Sequence, residues 1–226
     1  MKIYLIKKLS LIFLLFILIG CSESPERYAL LAGEQCLEDT KTGLVWELKT
    51  DDGGLRDKDH TYSWYNQFSN GGHPGWKDSY IGYSEGARVR YSYPEHTGET
   101  CDKTLDLCNT QDYLIAVNKQ GLCGYKDWRM PSKQELYTLL DLTKSGCSEA
   151  DGTMETGGCV NTSLLPDVAK DKNGNYGGYW SSSPHWNPRS AWAVYFYLGS
   201  YGAHFKYYYN YVRLVRSADH IVHKTQ

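Results

Sequence analysis

The first part of the chain carries a strand-like pattern, followed by a long stretch without periodicity. From Tyr28 to Leu48 a short apolar run, a polar turn at EDTKTG and the alternating LVWEL predict strands, with Trp46 pointing inward. Residues 50–109 are rich in Gly, Asp, Ser, Tyr and Pro. Because loops of such length usually carry a function or need covalent support, this region is predicted to form a long, irregular surface.

Two segments show the spacing of amphipathic helices. The first covers residues 110–119 and precedes Gly121, a typical helix stop. The second is predicted to open at Ser132, which forms a capping-box pattern with Glu135. The apolar positions at helical spacing are Tyr113, Ala116 and Val117 in the first helix, and Leu136, Leu139 and Leu140 in the second. Both helices are interpreted as structural.

The C-terminal part returns to a period of two. The alternating residues are Trp192, Val194 and Phe196 on one side, and Ala193, Tyr195 and Tyr197 on the other. One set is expected to face a core and the other to face away. A turn from Gly199 to Gly202 and then another strand are predicted, and Val212 and Leu214 indicate a closing strand. Short strands, two helices and long loops indicate an α+β domain.

The N-terminal residues have the form of a lipoprotein export signal. MKIYLIKK supplies cations, LSLIFLLFILIG supplies a short apolar run, and Leu18-Ile19-Gly20-Cys21 has the form of a lipobox. We expect residues 1–20 to be the signal peptide, Cys21 to be lipidated, and 21–30 to be a lipidated tether; a plain membrane anchor is the alternative. Because Ser22 is not Asp, the sequence predicts lipid anchoring at the outer membrane, either periplasmic or surface-exposed.

The length and charge of the remaining chain indicate a single domain that does not bind nucleic acid. Residues 31–217 are long enough for a single core, and 218–226 are left as a C-terminal tail. The formal net charge is −2, with acids and bases interspersed. Neither nucleic-acid binding nor a polybasic membrane patch is therefore predicted, and membrane contact is expected only through the lipid on Cys21.

Cysteine usage agrees with an exported domain. The cysteines after Cys21 are Cys36, Cys101, Cys108, Cys123, Cys147 and Cys159. An even number in an exported chain indicates disulfides, although sequence alone leaves the connectivity open. The expected pairs are Cys101 with Cys108 and Cys147 with Cys159, which would staple loops locally, and Cys36 with Cys123. No zinc site is predicted, because Cys-x2-Cys spacing and neighbouring His are lacking.

Tyrosines are concentrated in YFYLGSYGAHFKYYYNYVRLVR, residues 195–216. Tyr offers a large, rigid contact surface with a polar tip at low entropic cost, and antibody paratopes use it for this reason. The predicted ligand-binding residues are Tyr195, Tyr197, Tyr201, His204, Tyr207, Tyr208, Tyr209 and Asn210, extended by His185 and Trp186. The alternative is that the rings cover the sheet or fill gaps between loops. Consecutive Tyr207, Tyr208 and Tyr209 point to both faces and cannot all be buried.

Four segments resemble, in order, the Lcl C-terminal domain, a bacterial family of largely unknown function. They are GLVWELKTDDGGLRDKDHTYSWYN (43–66), GLCGYKDWRMPSKQELYTLLD (121–141), YWSSSP (179–184) and YVRLVRS (211–217). The resemblance implies a C-type lectin-like fold, with two helices packed on a twisted, mainly antiparallel sheet and long disulfide-stapled loops. It also implies a binding or display module for a protein or glycan ligand, without naming that ligand.

Some proteins of this fold group are the variable proteins of diversity-generating retroelements. In them Asn codons become a restricted set of residues, and the matching stretch resembles AWNVNFNNGN followed by YVRLVR. The corresponding positions here are 193, 195, 197, 198, 200–205 and 207–210, with Lys206 taken as fixed, and all of these positions carry residues of that set. Retroelement diversification is therefore a hypothesis for this segment.

The fold group also raises calcium and enzyme alternatives. Glu-Pro-Asn and Gln-Pro-Asp sugar motifs are missing, and the acidic loops at 51–59 and 171–175 are interpreted as solvated. Formylglycine-generating oxidases use a C-terminal cysteine pair, but the last cysteine here is Cys159. A hydrolase built on Ser181-Ser182-Ser183 and His204 lacks a Gly-x-Ser-x-Gly elbow. The chain is predicted to be non-catalytic and without a cofactor; the remaining alternative is a structural envelope protein.

Overall fold

The computed structural model describes residues 26–31, 33, 35–68, 74–75, 101–144, 147, 158–170 and 177–219. The predicted signal peptide 1–20, the lipidation site Cys21, the loop 171–175 and the tail from 220 onwards lie outside the described residues. In the described part, no helix is both long enough and apolar enough to span a membrane.

The secondary structure is mostly sheet, with short helices. The strands are β1 (Tyr28–Leu31), β2 (Cys36–Asp39), β3 (Leu44–Glu47), β4 (Thr61–Ser63), β5 (Gly178–Pro184), β6 (Ser190–Tyr195), β7 (Ser200–Phe205), β8 (Tyr209–Tyr211) and β9 (Val215–Ser217). The helices are α1 (Thr110–Gln120) and α2 (Lys133–Tyr137), and a single 3-10 turn covers Leu122–Gly124. The predicted α+β class is confirmed.

The described strands form two sheets, whereas the sequence predicted one. One sheet has the order β1-β2-β3-β9 and the other the order β4-β8-β5-β6-β7. The pairs are antiparallel except for β5 with β8. The chain leaves the second sheet after β8 and joins the first as β9, where Trp46 pairs with Val215. Residues 212–214, predicted to belong to one closing strand, form the connection between the sheets.

Helix α1 agrees with its prediction because its signals are local. The buried Asn109 side chain accepts hydrogen bonds from the backbone nitrogens of Gln111 and Asp112. At the other end Gly121 adopts a left-handed conformation with φ of 71°, which a residue with a Cβ would adopt at a cost. Tyr113 and Val117 are buried beneath the helix.

Helix α2 is shorter than its apolar stripe suggested. The predicted capping box is present, with Ser132 accepting from the Glu135 nitrogen and Glu135 accepting from the Ser132 nitrogen. The helix nevertheless ends at Tyr137, because Leu140 forms a β-bridge with Val160 instead of continuing the helix. Leu136 and Leu139 are buried all the same.

Strand β6 is covered on both sides, which corrects the prediction of one inward and one outward face. Val194 packs in the cluster that contains Trp46, and Ala193 packs in the cluster that contains Trp180. The predicted turn at Gly199–Gly202 is misplaced, because the turn covers residues 196–199 while Gly202 lies within β7 and pairs with Ala193. A Cβ on Gly202 would lie 2.5 Å from the Tyr195 hydroxyl oxygen, so a glycine at this position allows the Tyr195 side chain to pack against the backbone.

A buried polar cluster surrounds the connection between the two sheets. Arg213 is fully buried, and its Nη1 lies 2.9 Å from Asp167 Oδ2 and 2.6 Å from the Glu47 carbonyl oxygen. The Glu47 carboxylate accepts hydrogen bonds from the Tyr113 hydroxyl and the Leu214 nitrogen. Buried charges need such partners, so these contacts hold the connection between β8 and β9 in place.

Three disulfides are formed, and all three match the expected pairs. They are Cys36–Cys123, Cys101–Cys108 and Cys147–Cys159. The first links β2 to the 3-10 turn after α1, while the other two close short segments.

Candidate functional site

The predicted tyrosine patch is divided between two surfaces of the second sheet. Side chains alternate along β7, so Tyr201, Ala203 and Phe205 face one way while Gly202 and His204 face the other. Tyr201 and Phe205 are each 41% exposed. Tyr201 therefore does not share a surface with His204, although the sequence placed both in one patch.

A lysine from α2 lies between two rings on the first of these surfaces. Lys133 Nζ is 4.2 Å from the Trp192 ring centroid and 3.9 Å from that of Tyr201. The two rings meet edge to face with centroids 5.5 Å apart, and the Tyr137 ring meets that of Tyr201 with centroids 5.8 Å apart. Such cation–π contacts fix the ammonium group and both rings together.

Two further rings extend this surface into solvent. His185 lies 4.7 Å from Trp192 and 5.0 Å from Trp186, measured between ring centroids. Trp186 is 88% exposed. The rings therefore form a continuous row, in the order Tyr137, Tyr201, Trp192, His185 and Trp186. We call this row, together with Lys133, the lysine-clamp surface.

Sequence reasoning found only part of the lysine-clamp surface. Trp186, His185 and Tyr201 were predicted, whereas Trp192 was interpreted only as one member of an alternating strand. Lys133 carried a usable signal, because a cation in the first turn of a helix opposes the helix dipole and so indicates another stabilising partner.

The opposite face of β7 carries a more enclosed group around His204. The rings of Tyr195, Tyr208 and Trp180 lie 5.3, 5.8 and 6.0 Å from the His204 ring, and Asn210 Nδ2 lies 3.0 Å from His204 Nδ1. Burial lowers the pKa of His204 below its ordinary value of 6.5, and the Asn210 hydrogen bond opposes this shift. Burial therefore favours the neutral form of the imidazole.

The other predicted tyrosines pack mainly against neighbouring rings. Tyr197 contacts Tyr195 with ring centroids 5.9 Å apart, and Tyr207 stacks on Phe205 at 5.4 Å and meets Tyr208 in a T-shaped contact. Tyr209 opens β8 and pairs with Ser63. As predicted, Tyr207, Tyr208 and Tyr209 are not all buried, since each is half-buried.

A separate groove of about 440 Å³ lies between α1 and the segment after β4. Its apolar lining includes Trp64, Tyr65, Phe68, Ile115 and Met130. Phe68 and Ile115 are 76% and 56% exposed. Most of these residues follow no periodic pattern, and for this reason the sequence did not single the groove out.

The acidic loop at 51–59 uses its carboxylates internally. Asp57 accepts hydrogen bonds from the backbone nitrogens of Asp52, Gly53 and Asp59, and Lys58 pairs with Asp51 and Asp59. Across the described residues, no group of three or more His, Cys, Asp or Glu could hold a metal ion.

The hydroxyl groups of Ser181, Ser182 and Ser183 all form hydrogen bonds with backbone groups. Ser181 Oγ donates to the Trp192 carbonyl at 2.8 Å, Ser182 Oγ donates to the Pro131 carbonyl at 3.1 Å, and Ser183 Oγ accepts from the Lys133 nitrogen at 2.8 Å. The contacts of Ser182 and Ser183 tie β5 to the start of α2 and so help to position Lys133.

The profile of the Lcl C-terminal domain family matches residues 35–216. The chain belongs to the Lcl C-terminal domain family. The matched span of this Lcl C-terminal domain contains both ring surfaces, the groove, the buried polar cluster and all three disulfides. No curated protein and no solved structure matches the chain.

Proposed function

We propose that this Lcl C-terminal domain is a non-catalytic ligand-binding or adhesion module whose contact surface is the lysine-clamp surface. The observation that carries the proposal is the row of rings that ends at Trp186, 88% exposed, and encloses Lys133 between Trp192 and Tyr201. Large exposed aromatic groups are uncommon on soluble surfaces unless they meet a partner.

The lysine-clamp surface is preorganised for contact. Trp192 and Tyr201 stand on paired strands, and Lys133 is held by both rings while its backbone nitrogen donates to Ser183. Rings fixed before binding lose little conformational freedom when a ligand arrives. Protein and glycan ligands both offer flat apolar patches with polar edges, so either class suits this surface.

The wider setting of the proposal comes from the sequence. The lipobox at Leu18–Cys21 supports display of the domain from the outer membrane, and the family membership with its two helices, mainly antiparallel strands and disulfides supports a C-type lectin-like fold. Retroelement diversification stays a prediction. Variation of sequence is easier to accommodate at the exposed Tyr201, Ala203 and Phe205 than at the buried Ala193.

The test uses the full chain in detergent micelles. Binding would be measured on a printed array of neutral and acidic oligosaccharides and on a panel of purified envelope and extracellular-matrix proteins. For a ligand so found, Trp186→Ala and Tyr201→Ala should each weaken the affinity by about tenfold or more, as for central aromatic contacts. Phe68→Ala is the matched control, an exposed ring in the groove, and should leave the affinity within about twofold.

The opposite pattern would contradict the proposal. Loss of binding with Phe68→Ala alone would place the contact in the groove. Failure of every probe to bind would instead favour the structural envelope protein.

A further inference from the structure

Strand β7 ends the second sheet. It is the last strand in the order β4-β8-β5-β6-β7, and its six residues pair continuously with β6, from Ser200 opposite Tyr195 to Phe205 opposite Ser190. Among the described residues, no strand pairs with its outer side. The backbone groups on that side therefore present an extended hydrogen-bonding edge.

The edge lacks the features that usually prevent strand association. SYGAHF contains no charged residue and no proline, and its register with β6 has no bulge. Proteins normally protect such edges with Lys, Pro or a bulge. The nearest charge along the chain, Lys206, is only 3% exposed and lies over the Trp64 ring, so it does not protect the edge.

The sequence of β7 is complementary to itself in one antiparallel register. A two-fold axis perpendicular to the sheet keeps equivalent faces together, so directly opposed residues must come from the same face. With the axis at Ala203, Tyr201 of each copy lies opposite Phe205 of the other, on the exposed face. Cross-strand aromatic pairs of this kind stabilise antiparallel strands. The small Ala203 meets its own equivalent at the axis, and Gly202 leaves room opposite His204 on the other face.

We propose that the outer edge of β7 binds β7 of a second copy of this chain, antiparallel and centred on Ala203. The two five-stranded sheets then become one continuous sheet. This symmetry places both lysine-clamp surfaces on the same side of the joined sheet, so a ligand with repeated epitopes could engage them together. A strand pair this short is smaller than a standard interface of about 1,600 Å², so the dimer is expected to be weak in solution.

Cross-linking tests the register directly. The full chain with Ala203→Cys, in detergent micelles under mild oxidation, should give a disulfide-linked dimer on a non-reducing gel, because opposed Cβ atoms at the axis lie about 5 Å apart. Ala29→Cys is the matched control, an exposed alanine on β1 at the edge of the other sheet, and should give no more dimer than the wild type.

A second variant tests the association without a covalent bond. Ala203→Lys would place two like charges opposite each other at the axis, and because Ala203 is exposed the monomer should keep its fold. Sedimentation velocity over a concentration series should show the dimer at least about tenfold weaker, with Ala203→Ser unchanged.

Three results would overturn the proposal. One is the absence of cross-linking by Ala203→Cys above the wild-type level. Another is equal or stronger cross-linking by Ala29→Cys. The third is a dimer that Ala203→Lys does not weaken.

Discussion

Lys206 shows how a single residue in the tyrosine-rich segment departs from its ordinary chemistry. Its side chain is 3% exposed, and Nζ lies 4.1 Å from the centroid of the Trp64 ring. Burial lowers the pKa of this amine from 10.5 to about 8, because the low-polarity surroundings disfavour the charged form. Folding at neutral pH therefore carries the cost of burying a charge.

The shifted pKa predicts a pH dependence with a defined sign. Between about pH 8 and 10.5 the unfolded chain keeps the Lys206 proton while the folded chain has released it, so this residue makes stability rise with pH. Lys206→Met removes that dependence. The free energy of unfolding of the variant minus that of the wild type should therefore fall steadily across this interval and stay level below it. Urea unfolding with disulfides intact measures both, and parallel curves would contradict the assigned shift.

Residue environments could be predicted from the sequence for some residues and not for others. Trp46 was predicted to point into the core and is fully buried. The alternating pattern of its strand was enough for this prediction, because it assigns the large apolar side chain to the inward face. The burial of Lys206 and Arg213 was not expected. Their partners, such as Trp64 and Asp167, are distant in sequence and become neighbours only after folding.

At the scale of elements, the start of α1 depends on one side chain. Asn109 is fully buried and satisfies two backbone nitrogens of the first turn, those of Gln111 and Asp112. Asn109→Ala leaves these donors without their partner, so we expect a loss of about 1–2 kcal/mol in the free energy of unfolding. Asn109→Ser keeps a side-chain acceptor oxygen for the first turn without burying a charge and should cost clearly less. Equal losses in urea unfolding would show that the cap contributes little.

The elements that matched their predictions are those with local signals. Helix α1 has its cap and its glycine stop within its own sequence, and the capping box of α2 is likewise local. The length of α2 and the position of Gly202 in β7 depended instead on distant contacts, with Val160 and Tyr195 respectively. Spacing along the chain carries no information about those partners, so the ends of both elements were predicted wrongly.

At the scale of the molecule, contacts between residues that are far apart in the sequence hold the first sheet together and tie it to the turn after α1. Strand β9 returns to pair with β3, and Cys36 on β2 is bonded to Cys123 after α1. The pairing of cysteines agreed with expectation, whereas the division into two sheets did not. A strand pattern identifies a strand but not its neighbour, because register and partner are set by the rest of the fold.

Two of the disulfides allow the contribution of loop length to the free energy of unfolding to be measured within one protein. Cys36–Cys123 spans 87 residues and Cys101–Cys108 spans 7, and each bond joins one buried to one half-buried cysteine. Loop-closure entropy predicts losses of about 4.5 kcal/mol for the first bond and about 2.5 kcal/mol for the second. Paired Cys→Ala variants remove the same atoms in both cases, so the difference of about 2 kcal/mol isolates the constraint on the unfolded chain. Urea unfolding of the two variants measures it. Equal losses would mean that the unfolded chain already holds β2 near the end of α1 without the bond.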